Sequence, residues 1–457
     1  MVGVALGVAA CGGTQEAVIA PDTAGTAAKP RADEPEVEPD PFQQELVRAL
    51  EVVGRVRELP AKHPVRGRII GRDDMVARVK ESMRKEVPFE VVEAQEEMLF
   101  ALGTVPVDFD YERCLLKLVE DQLAGFYEPD DETMYLGGDL GPTARWATLA
   151  HELVHALQDQ YYDLGERVEY REDGTDEQSA IHALAEGDAT SAMFDFLNGE
   201  PATEMSESAL GLMFRGSAAV SSGGDVPELL KRSLVSPYID GLGLVHWARR
   251  RGGWQAVDAI WRRPPTSTEQ VLHPEKWESN EPAVAVALPP GPATGWRVDY
   301  RDVLGEQSLR LVFEEWMPRF RAEEAAAGWG GDRVAVYSKG SAHALAWRIV
   351  FDDEAAASRA ATAFARGVLS AAAPRNSANV FSVTPEEAEA ALRRGAVCVE
   401  RAVGGPFAVV RDARGVGVVA GPYERGVTGD TARSAGTCAG NGGWLADVAR
   451  VEVAAGE

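Results

Sequence analysis

Thr148-Leu149-Ala150-His151-Glu152-Leu153-Val154-His155-Ala156-Leu157-Gln158-Asp159-Gln160 is the stretch from which the rest of the chain can be read. It has no Pro or Gly, and its apolar residues recur at helical spacing, so it reads as helix. Residues four apart on a helix lie about 40° apart around the axis and roughly 6 Å apart along it. His151 and His155 are spaced this way, close enough for both imidazoles to hold one zinc ion. Glu152 falls on the same side, where it can act as general base toward a water on the metal. Stepping about 100° per residue gathers Leu149, Leu153, Val154 and Leu157 on an apolar face. The same stepping puts His151, His155, Glu152, Thr148 and Asp159 on a polar one. With 7 histidines in 457 residues, chance supplies an H-E-x-x-H pattern about 0.01 times in such a chain. Gly141-Pro142 ahead of the stretch is a helix-start signal. Asp159 reads either as a carboxylate orienting His155 or as a helix-end acid.

A catalytic zinc takes three protein ligands and keeps one position open. The third is sought on the next helical run, Thr175-Asp176-Glu177-Gln178-Ser179-Ala180-Ile181-His182-Ala183-Leu184-Ala185-Glu186-Gly187-Asp188-Ala189-Thr190. Thr175 to Gln178 has the form of a capping box. The run is rich in Ala, Gly and Ser, which permits close approach to a neighbouring helix. A carboxylate at Glu186 in such a helix is costly to bury unless a cation compensates it. His182, one turn earlier on the same face, competes as a ligand or as a partner of the ligand. Asp188 lies about 200° around from Glu186 and cannot easily share the metal. Glu186 is the leading candidate.

His151-Glu152-Leu153-Val154-His155 followed by Ala185-Glu186-Gly187-Asp188-Ala189 resembles the gluzincin metallopeptidases, and more narrowly the bacterial neutral zinc metallopeptidase-like proteins. The resemblance covers about residues 110–195. It implies His151, His155 and Glu186 as ligands of one catalytic Zn2+, and Glu152 as the base. It also implies a zincin-like domain whose strand beside the metal helix receives a peptide or protein substrate along its edge. Residues 125–138 form two strand-like runs about a polar turn, a β-hairpin where such an edge is expected. Asp130, Asp131 and Glu132 lack EF-hand spacing and read as a solvated turn. Hydrolysis of this kind needs a donor for the developing oxyanion. Tyr238 and His273 are the catalytic candidates, against core packing for Tyr238 and a turn cap for His273. His246 reads as a packed helix histidine; His63 and His343 carry no motif.

Helical spacing marks 42–59, 72–86, 89–102 and 110–124 ahead of the hairpin, and 236–247 and 254–261 after the metal helix. Beyond 283 the pattern mixes. Helix is expected at 303–320, 353–369 and 385–394, and strands at 333–337, 342–351, 396–401 and 407–411. The expected class is therefore α+β: a mainly helical zincin-like metallopeptidase domain at 42–295 and a smaller α+β module at 296–457.

Val8-Ala9-Ala10-Cys11 fits a lipobox, and residues 1–11 resemble the end of a bacterial lipoprotein signal peptide without its basic n-region. The resemblance implies lipidation of Cys11 and an extracytoplasmic protein anchored to the cell envelope, at the outer membrane or surface. Residues 12–41 are poor in large apolar side chains and read as a disordered tether. Elsewhere no apolar run is long enough to span a bilayer, so membrane contact is expected through the anchor alone. Cys398 and Cys438 are candidates for a disulfide, and Cys114 for a buried core thiol. With 46 Lys and Arg against 72 Asp and Glu, the net charge is -26, which excludes a nucleic-acid partner. The function expected is zinc-dependent hydrolysis of peptide bonds. The alternatives are an inactive zinc-stabilised envelope scaffold and a zinc amidase acting on cell-wall bonds.

Overall fold

The computed structural model describes residues 40–199, 201–204, 226–371, 383–426 and 429–453. Cys11, the segment 1–11 and nearly all of the tether lie outside the described residues. The chain is α+β. Four helices precede the hairpin: α1 (Pro41–Arg57), α2 (Arg72–Glu86), α3 (Phe89–Leu102) and α4 (Tyr111–Gln122). α1 starts at Pro41 because the Asp40 carboxylate accepts the Phe42 N–H at 3.0 Å. Between α1 and α2 lies a strand that hydropathy does not mark, β1 (Arg66–Ile70). Its Arg-Gly-Arg start is polar, and pairing recruits it.

β2 (Gly125–Glu128) and β3 (Thr133–Gly137) form the hairpin, joined by a 3-10 turn at Pro129–Asp131. β1 runs parallel to β3, so the small sheet has the order β1-β3-β2, with β2 as an outer strand. Against this sheet packs α5 (Pro142–Tyr162), the helix of the two histidines. Gly125 allows the contact: a Cβ there would press on the Tyr135 carbonyl and the Thr148 methyl.

After the short α6 (Leu164–Val168) come α7 (Thr175–Asn198) and α8 (Glu228–Arg262), the latter broken at Gly252 and Gly253. The small residues of α7 do what their size predicts. Gly187 and Gly241 meet backbone to backbone, and a Cβ on Gly241 would fall inside the Ala183 carbonyl. Glu186 is thus carried on a helix seated directly against its neighbour. The start of α7 corrects the capping-box expectation. The residue ahead of it is Gly174, with no side-chain cap. The Thr175 hydroxyl instead bonds Asp302, and Asp176 accepts from the Thr268 N–H at 2.9 Å. Two partners distant in sequence outbid the local pair.

Thr268 opens α9 (Thr268–Leu272), followed by α10 (Pro274–Glu278). The expected single helix at 303–320 is two, α11 (Gly305–Glu314) and α12 (Arg319–Ala326), with β4 (Arg297–Asp302) before them. Pro318 cannot continue α11 and starts α12 instead. An antiparallel sheet follows, built from β5 (Trp329–Lys339), β6 (Ala342–Phe351), β7 (Val397–Arg401), β8 (Gly405–Arg411), β9 (Gly415–Arg425) and β10 (Ala432–Ser434). Its order is β4-β5-β6-β9-β8-β7, with β10 on β9. Alternate residues point to opposite faces. Val334, Val336, Leu345 and Trp347 face a large core with Phe313 of α11 and Phe364 of α13 (Glu354–Ser370). α14 (Pro385–Leu392) packs on α13. Met98 and Phe100 of α3 belong to the same core. Ala335, Tyr337 and Ala346 face Trp444 and Leu445 of α15 (Cys438–Ala449).

Cys398 on β7 is bonded to Cys438 at the start of α15, a sequence separation of 40. Cys114 is buried and free. Cross-linking a loop of that length is worth about 2–4 kcal/mol. The double substitution Cys398→Ser and Cys438→Ser is expected to lose that much in denaturant unfolding while leaving the far lobe's metal affinity unchanged. No helix among the described residues is long and apolar enough to cross a membrane.

Candidate metal centre

α5 and α7 place three donors together. His151 Nε2 lies 3.1 Å from His155 Nε2 and 3.0 Å from Glu186 Oε2, and His155 Nε2 lies 3.6 Å from the same oxygen. Ligands about 2.1 Å from one tetrahedral ion stand roughly 3.4 Å apart, so this spacing suits a single metal ion. Among the described residues this buried trio is the group of His, Cys, Asp and Glu side chains able to hold one. Asp188 is turned away from it, as its helical angle predicts.

The trio is electrostatically self-consistent. Burial alone would raise the Glu186 carboxyl, but His155, His151 and His182 hold it well below the usual carboxylate range. Burial likewise opposes charge on His155, yet Glu186 overrides it and pushes the imidazole up to about 9. Burial keeps His151 below its ordinary value, against the pull of Glu186. Glu186 thus favours positive charge beside it, a place that a metal cation can take from the proton.

His155 is oriented by a chain of contacts that the sequence does not announce. Its Nδ1 lies 2.8 Å from Gln158 Oε1. The Gln158 amide is set the right way round because its Nε2 donates to the Ala185 carbonyl at 3.0 Å and to Asp188 at 3.3 Å. Nδ1 therefore donates to Gln158, and Nε2 is the nitrogen that faces the trio. Asp188 is fixed in turn by Arg57 Nε at 2.6 Å and Trp261 Nε1 at 2.8 Å. Gln158 is three residues from His155, a visible signal; Arg57 has none, being 131 residues from Asp188. Gln158→Ala is expected to weaken metal binding by about 10–100-fold in a chelator competition.

Asp159 does not orient His155. It accepts from the Tyr127 hydroxyl and the Gly165 N–H, both at 3.0 Å. Glu152 is fully buried, and its Oε2 accepts the Tyr127 N–H of β2 at 3.0 Å. A cleft of about 710 Å³ opens on His155, Glu186 and His182 and is bordered by Tyr127, Glu128 and Tyr170.

Of the two oxyanion candidates, the structure brings Tyr238 to the trio. Its ring stacks on His151 with centroids 5.8 Å apart. It does not bring His273. That side chain is bonded to Glu306 at 2.9 Å and is absent from the cleft lining. Glu306 lies 33 residues downstream, on the first turn of α11, and claims the imidazole for the junction with the sheet. His182 sits 3.1 Å from Glu186 Oε1, beside the candidate ligand rather than in its place. His246 is fully buried, and burial lowers it to about 4.

The family model described as "Domain of unknown function (DUF8575)" matches residues 294–430. That span holds most of the large sheet and excludes α5 and α7. No curated protein matches the chain, and no solved structure does.

Proposed function

We propose that the chain is a zinc-dependent peptidase of gluzincin type, with a zincin-like fold around α5, α7 and the β2 edge. The observation that carries this reading is the convergence of His151, His155 and Glu186 beside a carboxylate, Glu152, that is not one of the three donors. His151, His155 and Glu186 would hold the zinc ion. Bound zinc supplies Lewis acidity toward a carbonyl and toward water. Glu152, held in one orientation by the Tyr127 N–H, takes the proton of the attacking water and returns it to the leaving amine. Its burial shields that transfer from bulk solvent. The outer position of β2, with Tyr127 and Glu128 on the cleft wall, supports a peptide substrate, because an extended chain can lie along such a strand. Tyr238 positions the His151 ring through stacking. Anchoring at the cell envelope through Cys11 is part of the same proposal and rests on residues 8–11 of the sequence.

The test is metal analysis of the purified protein together with cleavage of a proteome-derived peptide library. One zinc per chain is expected, with new peptide termini that vanish on chelation and return with zinc. No metal at saturating zinc overturns the reading. Stoichiometric zinc without cleavage leaves a zinc-stabilised scaffold.

A further inference from the structure

The two oxygens of Glu186 have different neighbours. Oε2 faces the two ligand histidines at 3.0 and 3.6 Å. Oε1 faces His182 Nε2 at 3.1 Å. Glu186 is fully buried, so loss of that partner leaves Oε1 poorly solvated. His182 is one turn earlier on α7, nearly buried, and shares the cleft wall with the trio. Its other nitrogen, Nδ1, is buried and has no hydrogen-bond partner among the described residues. A carboxylate oxygen only accepts, so His182 Nε2 is the donor in this pair.

A carboxylate ligand can approach a metal through one oxygen or through both. Two oxygens on the metal would add a ligand atom and crowd the position that a hydrolytic site must keep open. We infer that His182 is a positioning residue which holds Oε1 away and makes Glu186 a one-oxygen ligand. The inference rests on the metal-site reading above and goes beyond it, because it concerns how many ligand atoms the site presents. Without His182, Oε1 becomes a buried acceptor with no donor, and such a group costs about 1–3 kcal/mol. The metal is then its nearest available partner. Loss of His182 therefore keeps the metal, adds a ligand atom and crowds the open position.

The experiment uses the full chain loaded with cobalt(II), whose visible absorption weakens as ligand atoms are added. His182→Leu fills the same space without a donor, and His182→Gln restores an N–H at similar reach. In His182→Leu the absorption is expected to fall. Zinc affinity should hold within a few-fold, and peptide hydrolysis should drop in kcat by about 10–100-fold. His182→Gln is expected to recover the wild-type spectrum and most of the rate. A His182→Leu spectrum identical to wild type overturns the inference, as does a His182→Gln spectrum that stays with the Leu variant. If His182→Leu does not fold, the Gln variant decides: a weakened spectrum in a folded protein overturns the inference. Failure of the wild-type chain to bind cobalt or zinc is a separate result, and it sinks the metal-site reading itself.

Discussion

Glu152→Gln is expected to keep its zinc and lose hydrolysis. Gln has the size of Glu, and its side-chain oxygen can still accept the Tyr127 N–H that Glu152 accepts at 3.0 Å. The three metal donors are untouched, since Glu152 is not among them. What the amide cannot do is take a proton. General-base removal costs about 10²–10⁴-fold in rate. The measurement is kcat on a cleaved peptide beside zinc stoichiometry from the same preparation. Undiminished cleavage at full zinc occupancy would remove Glu152 from the mechanism. Loss of zinc would show instead that Glu152 holds the site together.

Asp188→Ala is expected to cost about 3–5 kcal/mol in denaturant unfolding. Asp188 is fully buried and accepts from Arg57, Trp261 and Gln158. Arg57 is fully buried too, and beyond Asp188 it has Asp258 at 2.8 Å, which is partly exposed. Removing Asp188 strands much of a positive charge in the core, and the stranded charge, rather than the lost contact, sets the size of the effect. A second consequence separates this from simple loss of packing. Gln158 loses one of its two anchors, so His155 is less firmly aimed, and zinc affinity should fall together with stability. Asp188→Asn keeps the shape and one acceptor and should fall between. A loss under 1 kcal/mol for Asp188→Ala would refute the account.

What the sequence shows well is what one element decides alone. α2 and α3 begin and end where periodicity puts them, because their apolar faces repeat without interruption. The H-E-x-x-H spacing fixes two imidazoles on one helix face, and a glutamate among small residues names its own cost. What it hides is settled between elements. β1 is polar at its start and becomes a strand by lying parallel to β3. Thr175 looks like a cap until Asp302 takes its hydroxyl. Asp159 and Gln158 are adjacent on α5, and only the fold decides that the amide serves the histidine while the acid serves Tyr127. His273 is a donor candidate in the sequence, and Glu306 takes it elsewhere.

The seam between Gly187 and Gly241 bears on how this site could be re-engineered. Where two helices meet through side chains, a designer can shift one by repacking the other. Here the contact is main chain on main chain, with no rotamer to adjust, and it lies one residue from Glu186. The placement of α7 against α8 is therefore closed to gradual tuning. Altered metal preference would have to be sought through side chains, on α5 at the amide of Gln158 and on α7 at His182, and not by moving the helix that carries Glu186.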